Sequence, residues 1–119
     1  MDIKQLSETV SVTGQVAVDD VATIARRGFK SIICNRPDGE DAGQPAFGEI
    51  EAAAKDEGLS SAYQPVVSGQ VTAADGDAFG ALVETLPKPI LAYCRSGARS
   101  TTVHTLANFA RGQATSQSR

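Results

Sequence analysis

The chain has no tryptophan, and its other aromatic residues are four phenylalanines and two tyrosines among 119 residues. So few π faces exclude the stacking platform that single-stranded nucleic acid needs. Basic charge is not in excess either: 11 Lys and Arg stand against 14 Asp and Glu, for a net charge of −3. That balance argues against general binding to nucleic acid or to an anionic membrane, so any positive field must be local. Two cysteines and one histidine cannot supply a disulfide framework or a metal-ligand spacing, and no cofactor is expected. No apolar run approaches the length of a membrane span. The start, Met1-Asp2-Ile3-Lys4, lacks the apolar core of a secretory signal. The expectation is a cytoplasmic protein whose thiols stay reduced.

A chain of this length forms one domain with a real core. Residues 1–112 are expected to be that domain. Residues 113–119 read as a polar tail, or as the start of a linker.

A unit recurs along the chain: short apolar strand, turn, amphipathic helix, glycine or proline, next strand. Strands are expected at Thr9 to Thr13, Lys30 to Cys34, Ala62 to Val67 and Ile90 to Tyr93. Between them, Val21, Ile24 and Ala25 mark one helix, and Phe47, Ile50 and Ala54 a second with Pro45 in its first turn. Phe79, Leu82, Val83 and Leu86 mark a third from near Thr72, and Val103, Leu106, Ala107 and Ala110 a fourth. Gly28-Phe29 and Gly58-Leu59 read as left-handed helix ends with their hydrophobic contacts. Strands alternating with helices predict an α/β three-layer domain around a central, mostly parallel four-stranded sheet. The strand Ile90 to Tyr93 is the most purely apolar and should be central.

That strand runs straight into Cys94-Arg95-Ser96-Gly97-Ala98-Arg99-Ser100, where a helix begins. A thiol is thereby set in a loop that opens a helix. N–H groups point inward in such a loop, the dipole favours negative charge, and a thiol pKa falls. The ordinary alternative, a free cysteine as a small buried hydrophobe, fits poorly with the Arg-Ser-Gly that follows. The N–H groups of Arg95, Ser96, Gly97 and Ala98 are candidate oxyanion donors, and Arg95 adds positive potential at the rim. Ligands bind beyond the carboxyl ends of parallel strands. Gln15, Arg36 and Asp38 also lie just past strand ends, although Pro37-Asp38-Gly39 is good turn chemistry by itself. His104, one turn into the last helix, reads as structural, and Cys34 as a buried strand residue with a lesser possibility of pairing with Cys94.

The cysteine loop resembles two signatures. Protein tyrosine phosphatases carry His-Cys-x5-Arg-Ser/Thr, and rhodanese sulfurtransferases carry shorter loops such as Cys-Arg-Ser-Gly-x-Arg-Ser. The loop length here is the rhodanese one, and Tyr93 stands where the phosphatases have histidine. Other motifs are shared elsewhere: Val12-Thr13-Gly14-Gln15, Gly28-Phe29-Lys30 and Asn35-Arg36-Pro37-Asp38-Gly39-Glu40, in that order before the loop. Together they resemble the phosphatase-like domain of the beta-lactamase hydrolase-like protein, formerly domain of unknown function 442, over about Leu6 to Arg111. The resemblance implies a tyrosine-phosphatase-like fold and a cysteine-dependent hydrolase of a phosphate ester. Family members are found fused to metallo-hydrolase or sulfide-oxidising modules, so a fused or partner module of that kind is implied as well.

Under that resemblance Cys94 is the nucleophile, Arg99 a bidentate oxyanion clamp, and Ser100 a donor that eases thiolate departure when it is not simply a helix cap. The substrate is then a small phosphate ester, or a sulfate or sulfane-sulfur compound. The alternatives are a rhodanese-like sulfurtransferase carrying a persulfide on Cys94, and an oxyanion- or phosphoprotein-binding module with little turnover. In related small phosphatases a carboxylic acid follows the strand matching Ala62 to Val67. Here Ser68-Gly69-Gln70 stands in that place, and Asp38 is the best substitute.

Overall fold

The computed structural model describes residues 1–117, with side chains as far as Phe109. Nine elements follow in order: β1 (Lys4–Gln5), β2 (Val10–Thr13), α1 (Asp20–Arg26), β3 (Ser31–Cys34), α2 (Phe47–Asp56), β4 (Ser60–Tyr63), α3 (Ala73–Thr85), β5 (Ile90–Tyr93) and α4 (Ala98–Gln117). The sheet order is β1-β2-β5-β3-β4. β2, β5, β3 and β4 are parallel, and β5 lies at the centre. The four-stranded expectation is exceeded by β1, a two-residue strand antiparallel to β2.

The alternation of side chains along a strand builds two cores from one sheet. Leu91 and Tyr93 of β5 join Ile32 and Cys34 of β3 beneath α1 and α2, with Ile24, Phe47 and Ile50. Ile90 and Ala92 join Ile33, Val10 and Val12 beneath α3 and α4, with Phe79 and Val103. Each fully buried Ile or Leu contributes about 1.5–3 kcal/mol of transfer free energy. All four β5 residues are buried on both faces, as its unbroken apolar run requires. α3 and α4 meet closely at Gly76, where an added Cβ would lie 2.6 Å from Leu106 Cβ.

Two boundaries differ from expectation. β4 begins at Ser60 and ends at Tyr63, not Ala62 to Val67. Its polar start is tied down by Ser60 N–H donating to the Lys30 carbonyl. Pro65 has no N–H to continue the ladder, so the apolar pair Val66-Val67 falls in the connection. α2 starts at Phe47, leaving Pro45 just before the N-cap Ala46. The caps at Gly28 (φ 95°) and Gly58 (φ 76°) are left-handed, as read from the sequence. Thr72 and Asp75 form a reciprocal capping box at the start of α3. The polar tail continues α4 as far as Gln117; Ser118 and Arg119 lie outside the described residues. No helix among the described residues is long and apolar enough to cross a membrane.

Candidate active site at the cysteine loop

Even-numbered β5 residues face α3 and α4, so Cys94 emerges beneath the start of α4, while Cys34 faces α1 and α2. In register, Cys34 pairs with Tyr93, not with Cys94. The Cys34 thiol donates to the Arg36 carbonyl at 3.2 Å, and both cysteines are free. Its pKa is raised, first by burial.

The segment after β2 braces the loop. Cys94 N–H donates to the Thr13 carbonyl at 3.4 Å, and Gln15 N–H to the Arg95 carbonyl at 3.2 Å. Gly14 is needed for this approach, because a Cβ there would lie 3.0 Å from the Arg95 oxygen. Gly97 turns the loop at φ +95°, a conformation costly to any residue with a side chain. Its N–H donates to Cys94 Sγ at 3.1 Å. Burial raises the Cys94 pKa, but the N–H groups of Ser100, Ser96, Arg99 and Gly97 outweigh it, and the thiol lies below its ordinary value. The sulfur therefore sits in a preformed ring of donors at a helix start.

Arg99 is held from two sides. Its two terminal nitrogens bind both oxygens of Glu40, at 2.7 and 2.8 Å, and Nη1 also donates to the Val66 carbonyl at 2.9 Å. A guanidinium has five N–H donors in a planar fork. Three are used here. The remaining two, on Nε and Nη2, share the other edge; the guanidinium is also within reach of the Cys94 side chain, and that edge suits two oxygens of an oxyanion. Hydrogen bonding to Glu40, the largest cause, holds the guanidinium firmly protonated. In turn Arg99 first, and Arg36 with it, hold the Glu40 carboxyl at about 2.

Gln15 and Arg36 were expected at the substrate. The structure brings them together but turns Arg36 inward, where it is 3% exposed. Its guanidinium donates to Glu40 at 2.9 Å, Gln15 Oε1 at 3.0 Å and Asp41 at 2.7 Å. It is a buttress for Glu40, because a buried guanidinium must satisfy its donors. Asp38, the candidate acid, accepts the Phe47 N–H at 2.8 Å and so holds the start of α2. The Ser100 hydroxyl does not donate to the sulfur. It donates to Asn35 Oδ1 at 2.8 Å, both residues being fully buried, and Asn35 Nδ2 reaches the Gln64 carbonyl at 3.1 Å. What Ser100 offers Cys94 is its backbone N–H. Arg95, Ser96 and Ala98 are exposed at the loop mouth. Ser96 Oγ accepts the Ala98 N–H at 3.3 Å, while the Arg95 side chain has no ion pair or hydrogen bond among the described residues.

Glu40, Asn35 and Asp41 were missed from sequence. The signal available for Glu40 was its i, i+4 spacing from Arg36 inside a shared motif. His104 packs edge-on against Phe79, and burial depresses its pKa.

The model of the phosphatase-like domain of the beta-lactamase hydrolase-like protein matches residues 2–113. The chain belongs to this family. A beta-lactamase hydrolase-like protein of Xylella fastidiosa is 35% identical over 113 residues, 95% of this chain and 26% of its own length. The chain thus spans about a quarter of the curated relatives it matches. A crystal structure of a candidate phosphatase from Neisseria meningitidis superposes with a TM-score of 0.87 at 34% identity, covering 94% of this chain and 80% of that one. Tk-PTP in its active form superposes with a TM-score of 0.64 at 16% identity, covering 80% of this chain and 63% of the other, which shows the tyrosine-phosphatase-like fold. This family domain is phosphatase-like in fold.

Proposed function

We propose that this domain is a cysteine-dependent hydrolase of phosphate esters that works through a cysteinyl-phosphate. The Cys94 thiolate attacks phosphorus, the free edge of Arg99 binds two oxygens, and the loop N–H groups take the rest. Water then attacks phosphorus and the thiolate leaves. The observation that carries the reading is Gly97 N–H on Cys94 Sγ at 3.1 Å beside an arginine locked with one edge free. Lowered thiol pKa supports it.

Rhodanese-like sulfur transfer is the second reading. The four-residue interval between Cys94 and Arg99 favours it, and so do the contacts that already hold Glu40, Asp41 and Asp38. Attack on a sulfane sulfur expels sulfite with the bonding pair and needs no proton. The length of the relatives supports a further module, fused or in partnership. An aryl phosphate and thiosulfate with cyanide as acceptor, each tried with wild type and Cys94→Ser, separate the two. Release of phosphate that vanishes in the variant supports hydrolysis. Thiocyanate formation without phosphate release would replace it with sulfur transfer.

A further inference from the structure

Among the described residues, the carboxylates gathered around this loop are each engaged in holding the fold. Glu40 is gripped by two arginines, Asp41 by Arg36 at 2.7 Å, and Asp38 by the Phe47 N–H. Asp75 belongs to the capping box of α3. The connection after β4, from Gln64 to Thr72, contains no ionisable side chain, and the connection after β2, from Gly14 to Asp19, has only Asp19, the exposed residue at the start of α1. His104, on α4, packs edge-on against Phe79 of α3.

The charges are also nearly balanced before any substrate arrives. The guanidiniums of Arg36 and Arg99 are matched by the carboxylates of Glu40 and Asp41. Arg95, exposed and unpaired among the described residues, is the one cation of the loop left to balance the Cys94 sulfur when it ionises. A doubly charged phosphoryl group would meet that thiolate with no surplus cation. A singly charged one would not, and it would bring a proton with it.

We infer that the substrate is taken as the monoanion of a phosphate monoester, whose own phosphoryl proton passes to the leaving oxygen. This rests on the phosphatase reading above. The Cys94 sulfur forms a bond to phosphorus as the bond from phosphorus to the ester oxygen breaks. The phosphoryl proton moves to that oxygen, and a neutral alcohol or phenol departs from a dianionic cysteinyl-phosphate. Water next adds to phosphorus, the sulfur–phosphorus bond breaks, and the thiolate and dihydrogen phosphate are released. Polyphosphorylated substrates are disfavoured by the same charge balance.

The second ionisation of a phosphate monoester lies near pH ~6, and an aryl ester ionises below an alkyl one. The test is the pH dependence of kcat/KM for one aryl and one alkyl phosphate. The expected basic limb falls about tenfold per pH unit and moves with the second ionisation of each substrate. A limb at the same pH for both would assign the proton to the enzyme and overturn the inference. A complete lack of Cys94-dependent phosphate release at every pH would instead overturn the phosphatase reading on which it stands.

Discussion

Glu40 grips Arg99 through both carboxylate oxygens, at 2.7 and 2.8 Å, although 59 residues separate them in the chain. The contact ties the loop after β3 to the start of α4. Arg36 completes it from behind, so one carboxylate orients the arginine proposed to bind the oxyanion.

Replacing Glu40 with Gln frees Arg99 and leaves two largely buried guanidiniums underpaired. Because Glu40 is partly exposed, the loss of stability is expected at about 1.5–3 kcal/mol, the range for hydrogen bonds to charged groups. Because Arg99 acts best when its fork is prepositioned, kcat/KM for an aryl phosphate should fall about 10–100-fold. Chemical denaturation and steady-state kinetics of Glu40→Gln check both, and a variant with unchanged kinetics would remove Glu40 from the site's construction.

Acid stability carries the same contact. Glu40 titrates at about 2 in the folded protein, against an ordinary 4.5. The folded value is the lower one, so the pairing stabilises fully above about pH 4.5 and is lost as pH falls through about 2. Between those values wild type should lose more stability than Glu40→Gln. Parallel acid-unfolding curves for the two proteins would contradict this.

Gly97 serves both conformation and chemistry. Alanine there must adopt φ near +95° with its Cβ 3.5 Å from the Thr13 oxygen, at a cost of about 1–2 kcal/mol. Any relaxation moves the N–H off Cys94 Sγ. Gly97→Ala should therefore raise the Cys94 thiol pKa, measured by the pH dependence of alkylation. An unchanged alkylation profile would mean that this N–H does not tune the sulfur.

Tyr93 offers a test in the opposite direction. Its hydroxyl is buried, with no good partner beyond the weakly bonding Cys34 thiol. Tyr93→Phe removes a poorly satisfied group, so stability should stay level or rise by up to about 1–2 kcal/mol. A fall of similar size in the thermal transition would point to a partner for that oxygen.

The site was legible where backbone pattern and chemistry coincide. Ile90 to Tyr93 had to be a doubly buried strand, and the Cys-Arg-Ser-Gly run after it had to be a loop opening a helix. Side-chain partnerships were less legible. Arg36 and Asp38 sit past a strand end, as expected, but the i, i+4 spacing that links Arg36 to Glu40 does not say that Arg36 turns inward, and nothing local says that Asp38 reaches nine residues on to Phe47. Asn35 was read only as part of a motif, because its partner, Ser100, is 65 residues away. β1 was invisible for another reason: Lys4-Gln5 is polar and exposed, so it carries no apolar pattern to read.

The central claim is that Cys94 becomes phosphorylated during turnover. The direct measurement is acid-quenched mass spectrometry of the protein mixed with an aryl phosphate, followed by mapping of the adduct. The account predicts one phosphoryl group on the peptide containing Cys94 within the first turnover, and none in Cys94→Ser. Phosphate release at wild-type rate from Cys94→Ser, with no adduct on the wild-type protein, would contradict it.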